Sequence, residues 1–183
     1  MLKSPLCALS ILVLGTTSAL PAADAPSLVI DDFKDVSGWK NFYKGEPAFS
    51  AETKIKHDGQ PGLHLQLTPQ ARAEKDLQVK ELSTADGVSF WMYSSKADDA
   101  VLGLAFTTQS TTPGWNYFFT KITVDWQGWK QFVLKKSDFQ AVRSPDWGTV
   151  KQVMLSIRDW NWGKPAPEDF VVISDLELVP AKP

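Results

Sequence analysis

Val88-Ser89-Phe90-Trp91-Met92-Tyr93 alternates an apolar position with a polar or amphipathic one over six residues. Successive side chains of an extended chain leave on opposite sides, so a period of two marks a strand with one buried face. Val88, Phe90 and Met92 form the inward set. Ser89, Trp91 and Tyr93 form the other. The same beat recurs on both sides of this stretch. Leu63, Leu65 and Leu67 alternate with His64 and Gln66, and Leu102, Leu104 and Phe106 alternate with Gly103, Ala105 and Thr107. Trp115, Tyr117 and Phe119 alternate with Asn116, Phe118 and Thr120, although both sides of this strand are apolar. Val153, Leu155 and Ile157 alternate with Met154, Ser156 and Arg158, and a long strand from Phe170 to Val179 closes the chain. Turn signals separate the runs at Asp58-Gly59, Asp86-Gly87, Pro113-Gly114, Gln127-Gly128, Trp147-Gly148 and Gly163-Lys164-Pro165. Only Ser137 to Val142 and Gln70 to Lys75 read as helical turns. About ten short strands with almost no helix predict an all-β sandwich of jelly-roll type. A closed up-and-down barrel is the alternative, and the long connections at 107–115 and 158–169 favour the sandwich.

Hydrophobic residues make up 43% of the 183 residues and charged residues 22%, which places the chain among ordinary globular proteins and excludes a disordered or collagen-like one. Nineteen Lys and Arg against 21 Asp and Glu give a net charge of −2, too little positive field to gather nucleic acid. The unusual feature is aromatic. Eight Trp stand against three Tyr, two His and one Cys, and eight indoles in one small domain need an explanation beyond packing.

Residues 1–25 have the layout of a secretory signal peptide. Lys3 supplies a short positive start, Leu6 to Gly15 is a ten-residue apolar run, and small residues follow in Thr16 to Ala25. Cleavage falls between residues 19 and 25. Ten apolar residues are too few to span a bilayer, which needs about 20. The expected mature chain, 26–183, is a single β-sandwich domain in the bacterial periplasm or exterior. Cys7 lies inside the leader, so the mature chain has no disulfide, thiol nucleophile or thiolate metal site.

A set of short motifs carries a resemblance. Ile30-Asp31-Asp32-Phe33 comes first, followed by Trp39 and by His57-Asp58-Gly59 leading into an alternating strand. Then come Val88 to Met92, the run Asp125 to Leu134 ending in Ser137-Asp138-Phe139, and Ile173-Ser174-Asp175-Leu176-Glu177-Leu178. Together they resemble the galactose-binding-like jelly roll of carbohydrate-binding modules, most closely family 11 and its relatives, which include the domain of a complex I assembly factor. The resemblance implies a core strand from Gly128-Trp129 with Phe132 and Leu134, and an anchoring role for Phe139. It also implies a structural Ca²⁺ held by Asp31 or Asp32 together with Asp175 and the loop around Asp58, through the hard oxygens that this ion requires. Lys34 departs from the family, which commonly has an acid there.

Under that resemblance the tryptophans become candidates for stacking on sugar rings. An indole covers the apolar face of a pyranose while Asp, Asn, Gln or Arg bonds its hydroxyls, the usual division of labour in a ligand pocket. Trp39 and Trp129 are assigned to the core. The ligand candidates are Trp160 and Trp162 with Arg158 and Asp159, which share one inter-strand loop, then Trp91 and Tyr93, then Trp115 and Tyr117. His64 points away from the aliphatic core and His57 sits in a turn. No HExxH, zinc spacing, GxSxG or phosphate-cradling Gly loop occurs. The expected function is a secreted, noncatalytic carbohydrate-binding protein whose partner is a polysaccharide or oligosaccharide, without nucleic acid, membrane span or organic cofactor. Two alternatives stay open: a protein–protein interaction or assembly domain on the same fold, and a small polysaccharide lyase or glycosidase.

Overall fold

The computed structural model describes residues 28–45, 47–78, 81–108, 114–157 and 164–181. The expected leader lies outside them. The described residues form twelve strands: β1 (Leu28–Asp31), β2 (Trp39–Asn41), β3 (Phe49–His57), β4 (Gln60–Gln66), β5 (Arg72–Asp76), β6 (Gly87–Ser94), β7 (Ala100–Thr108), β8 (Asn116–Val124), β9 (Gly128–Lys135), β10 (Gln140–Val142), β11 (Val150–Ser156) and β12 (Phe170–Val179). They build two six-stranded sheets. The first runs β3-β4-β12-β6-β9, with β1 pairing β12, and the second runs β10-β8-β7-β11-β5-β2. All strand pairs are antiparallel. The architecture is a β-sandwich jelly roll.

The alternating pattern sorts as expected. Leu63 and Leu65 on β4, Val88, Phe90 and Met92 on β6, Leu102, Leu104 and Phe106 on β7, and Val153, Leu155 and Ile157 at β11 all enter one buried cluster between the sheets. β12 adds Val171, Ile173, Leu176 and Leu178. A register shift between Ser174 and Glu177 keeps both pairs inward, with Asp175 at φ 54° inside the bulge. The β3–β4 hairpin turns on Asp58 and Gly59, both at positive φ, which is the Asp-Gly turn that the sequence announces.

Two local expectations are corrected. Gln70 to Lys75 is not a helical turn: Arg72–Asp76 forms β5, paired with β11 and β2. Ser137 to Val142 divides between a 3₁₀ turn at Lys136–Asp138 and strand β10. Phe139 between them is buried and meets Phe106 and Trp147 edge-on, so its anchoring role holds. Trp39 is a core residue as expected. Trp129 is not, because it sits across from Tyr93 on the solvent side of β9 while Phe132 and Leu134 of the same strand pack inward.

At one end of the sandwich the carboxyls of Asp98 and Asp169 lie together. The hydrogen bond shared with Asp98, followed by burial, pushes Asp169 above the ordinary carboxylate range. Lys96, with its ammonium 3.4 Å from Asp169, offsets part of this. A group raised in the folded state stabilises fully at acid pH and loses that contribution as pH rises through its folded pKa. Asp169→Asn is therefore expected to be more stable than wild type near neutral pH, with the difference closing at acid pH. Urea melts across pH 4–8 check it, and a difference that stays constant over that range would refute it.

Candidate functional site

The sequence candidates separate onto opposite sides of the molecule. Trp91 and Tyr93 lie on the outer face of the first sheet. Trp115 and Tyr117 lie at the outer face of the second. Trp160, Trp162, Arg158 and Asp159 lie outside the described residues.

The outer face of the second sheet has a flat apolar floor. Ala105 of β7, Tyr117 of β8 and Met154 of β11 form a small cluster of their own, fully or nearly fully buried, with Phe119 and Val142 against it. Tyr117 therefore serves as floor rather than as an exposed ring. Beside it, Ser156 pairs in register with Arg72 of β5, and Met154 with Glu74. Arg72 is only 4% exposed although it points away from the core, and its guanidinium bonds Glu74 at 3.2 Å. Burial of a charge requires such a partner. Phe42 lies over the guanidinium, 3.6 Å from ring centroid to Cζ, and Trp115 stands 5.8 Å away on the same group. Both rings are open to solvent, Phe42 at 46% and Trp115 at 50%. Arg143 comes close as well. A Cβ added to Gly114 would stand 1.3 Å from its Nη1, so the guanidinium rests on the backbone just before Trp115. The arrangement is two exposed rings framing a buried cation–carboxylate pair on a flat floor, which is chemically suited to a ligand with apolar faces and a polar rim.

Phe42, Arg72, Glu74 and Arg143 were not candidates in the sequence. Phe42 meets Arg72 because its N–H bonds the Arg72 carbonyl at 3.4 Å, a pairing across thirty positions. Arg72 lay inside the segment that reads locally as a helical turn.

The outer face of the first sheet carries a different arrangement. Trp129 on β9, Tyr93 on β6, Phe170 on β12 and His64 on β4 follow one another across the strands, with ring centroids 5.6, 6.3 and 4.5 Å apart. His57 stacks on Trp91 at 4.1 Å and meets Trp129 edge-on at 5.2 Å. Its Nδ1 is 3.2 Å from Asp175. His64 is 3.4 Å from Glu52. It does share a face with Trp91, as one sequence reading allowed.

The three residues assigned to Ca²⁺ do not fit a shared ion. Asp31 is buried, and its oxygens accept from Phe33 N at 2.9 Å, Trp39 Nε1 at 2.8 Å and Lys75 Nζ at 2.9 Å. Asp32 pairs with Lys34 at 2.9 Å. Asp175 bonds His57 and the Ser174 hydroxyl. Among the described residues no group of three or more His, Cys, Asp or Glu is placed to hold a metal.

No protein-family model and no curated protein matches the chain. Solved structures do. The family 11 carbohydrate-binding module from Clostridium thermocellum, in complex with a β-1,3-1,4-mixed-linked tetrasaccharide, aligns over 87% of this chain and 98% of its own, at TM-score 0.62 and 18% identity. The fold is that of the jelly-roll carbohydrate-binding modules. A family 16 module covers 83% of this chain and 99% of its own, at TM-score 0.54 and 14% identity. The family 30 module of the cellulosomal cellulase Cel9D-Cel44B of Clostridium thermocellum covers 88% and 96%, at TM-score 0.54 and 14% identity. At these identities the likeness is one of fold, and the side chains of the site are this chain's own. No helix among the described residues is long and apolar enough to cross a membrane.

Proposed function

We propose that the chain is a secreted, noncatalytic carbohydrate-binding domain that takes a glycan on the outer face of its second sheet. The observation that carries this reading is the pair of exposed rings, Phe42 and Trp115, set over the buried Arg72–Glu74 pair. An exposed aromatic pair is costly unless something covers it. A pyranose offers C–H faces that the two exposed rings can cover. The module fold in which a mixed-linked glucan tetrasaccharide has been seen supports β-glucans as the first class to try.

Affinity electrophoresis through gels holding mixed-linked β-glucan, xyloglucan or mannan tests the reading. Retardation by at least one neutral polymer is expected. Phe42→Ala and Trp115→Ala should each weaken it by about tenfold, in line with a stacked ring worth 1–2 kcal/mol. Retardation unchanged in both variants would remove the site from this face. A chain that no glycan retards, but that captures a protein in pull-downs, would replace the proposal with the assembly reading.

A further inference from the structure

The chain leaves β10 with an unusual backbone, and it does so beside Trp115. Among the described residues five besides glycine have a positive φ: Phe33, Asp58, Asp99, Arg143 and Asp175. Asp tolerates the left-handed region, and Phe33 is turned into it by the bond from its N–H to Asp31. Neither reason covers Arg143. It is an exposed residue with a long side chain, held at φ 64°, where such a residue is an outlier. Strain of this kind persists only where the surroundings hold it, and it collects at ligand clamps.

Val142, the last residue of β10, pairs with Tyr117 and packs against the floor of the second-sheet face. Continued as a strand, the next side chain would leave on the opposite side. The left-handed turn ends that alternation, and the Arg143 guanidinium comes to rest on the backbone of Gly114. Gly114 is adapted to the contact from its own side. It sits at φ 114°, and any Cβ there would overlap the guanidinium. Two departures from ordinary backbone rules thus serve one contact, and the next residue is Trp115. That indole is half-exposed and stands 5.8 Å from the Arg72 guanidinium. A ring so open gains little order from packing. A loose ring must be ordered when a ligand covers it, which costs affinity, whereas a fixed one has been ordered in advance. We infer that Arg143 is a positioning residue for Trp115: its guanidinium clamps the Gly114 backbone and so fixes the indole that stacks on the ligand. What the ring is fixed for rests on the second-sheet glycan reading; that Arg143 fixes it does not.

The test uses the full chain with Arg143→Gly, Trp115→Ala and the double variant. Glycine accepts φ 64° without strain, so Arg143→Gly should melt at or above the wild-type temperature. In gels holding mixed-linked β-glucan it should nevertheless bind about fivefold more weakly, the scale for one side chain that must be ordered on binding. In the Trp115→Ala background the same change should cost no further affinity, because a positioning residue acts through the ring it positions. Labelling with 5-fluorotryptophan reads the ring without any ligand. The fluorine resonance that Trp115→Ala removes should shift and narrow in Arg143→Gly, while that of the buried Trp39 stays. A lowered melting temperature with affinity unchanged would make Arg143 structural, and a full fivefold loss in the Trp115→Ala background would make it a contact of its own. Either result, or an unmoved Trp115 resonance, overturns the inference. If the glucan fails to retard wild type, the glycan reading is what fails, and the Trp115 resonance still decides whether Arg143 holds the ring.

Discussion

Replacement of Phe106 by Ala is expected to cost about 3–5 kcal/mol of stability, the range for truncating a fully buried phenyl ring. Phe106 has no solvent exposure and stands at the centre of the second sheet. Its ring lies 5.7 Å from both Phe139 and Trp147. Trp147 in turn stacks on Phe118 at 4.0 Å with the planes 6° apart, and meets Phe139 edge-on at 5.5 Å. These four rings fasten the 3₁₀ turns at Lys136–Asp138 and Trp147–Thr149 onto β7 and β8. No local contact replaces the ring, so the cavity cannot close without moving those turns. For a domain of this size the loss corresponds to a fall in melting temperature of roughly 10 °C or more. Phe106→Leu keeps most of the volume and should cost far less. Guanidinium titrations of both variants decide it. A cost under about 1 kcal/mol for the alanine variant would mean that the ring cluster is not the packing centre of that sheet.

The fold was legible because burial acts on every second residue. Val88, Phe90 and Met92, or Leu102, Leu104 and Phe106, must all leave water together, and only one strand orientation permits that. Asp58-Gly59 added the hairpin, since both residues adopt the positive φ that a tight turn requires. The site was legible only in part. Trp91 was placed on the outer face by its parity with Ser89, and the structure keeps it there with His57 stacked upon it. Tyr117 and Trp115 have the same parity on paper, yet Tyr117 is floor and Trp115 is rim. The difference comes from Ala105 on β7 and Met154 on β11, which cluster with Tyr117 and leave no trace in its local sequence. Arg72 was hidden for a stronger reason. Its burial depends on Glu74 beside it and on Phe42, a residue thirty positions away, so nothing within one strand period announced it. Trp129 failed in the opposite sense. A motif suggested a core role, while its pairing with Tyr93 across β9 and β6 puts it on the surface.

Asp31 carries the second large effect, and it also separates two accounts of one residue. The sequence resemblance casts it as a calcium ligand, whereas in the fold it ties the two sheets together. Its Oδ1 accepts from Phe33 N, which holds Phe33 at φ 54° and turns that fully buried ring into the core, 5.7 Å from Trp39. Its Oδ2 accepts from the Trp39 indole on β2 and from the Lys75 ammonium on β5. One carboxylate of the first sheet thus satisfies a buried N–H and a part-buried cation of the second. Removing one partner of such a set leaves the others desolvated and unpaired, which costs about 3–5 kcal/mol. Asp31→Ala should therefore lower stability by that amount. Asp31→Asn keeps the shape and the acceptor but loses the charge facing Lys75, and should fall between the two. The paired variant Asp31→Ala with Lys75→Met removes the orphaned ammonium and should recover part of the loss, a coupling that a mutant cycle reads directly. A calcium ligand would behave differently. Wild-type melting temperature would then fall on addition of EDTA, the alanine variant would be insensitive to it, and Lys75→Met would recover nothing. The cross-sheet account requires a melting temperature indifferent to chelator and a clear coupling between positions 31 and 75.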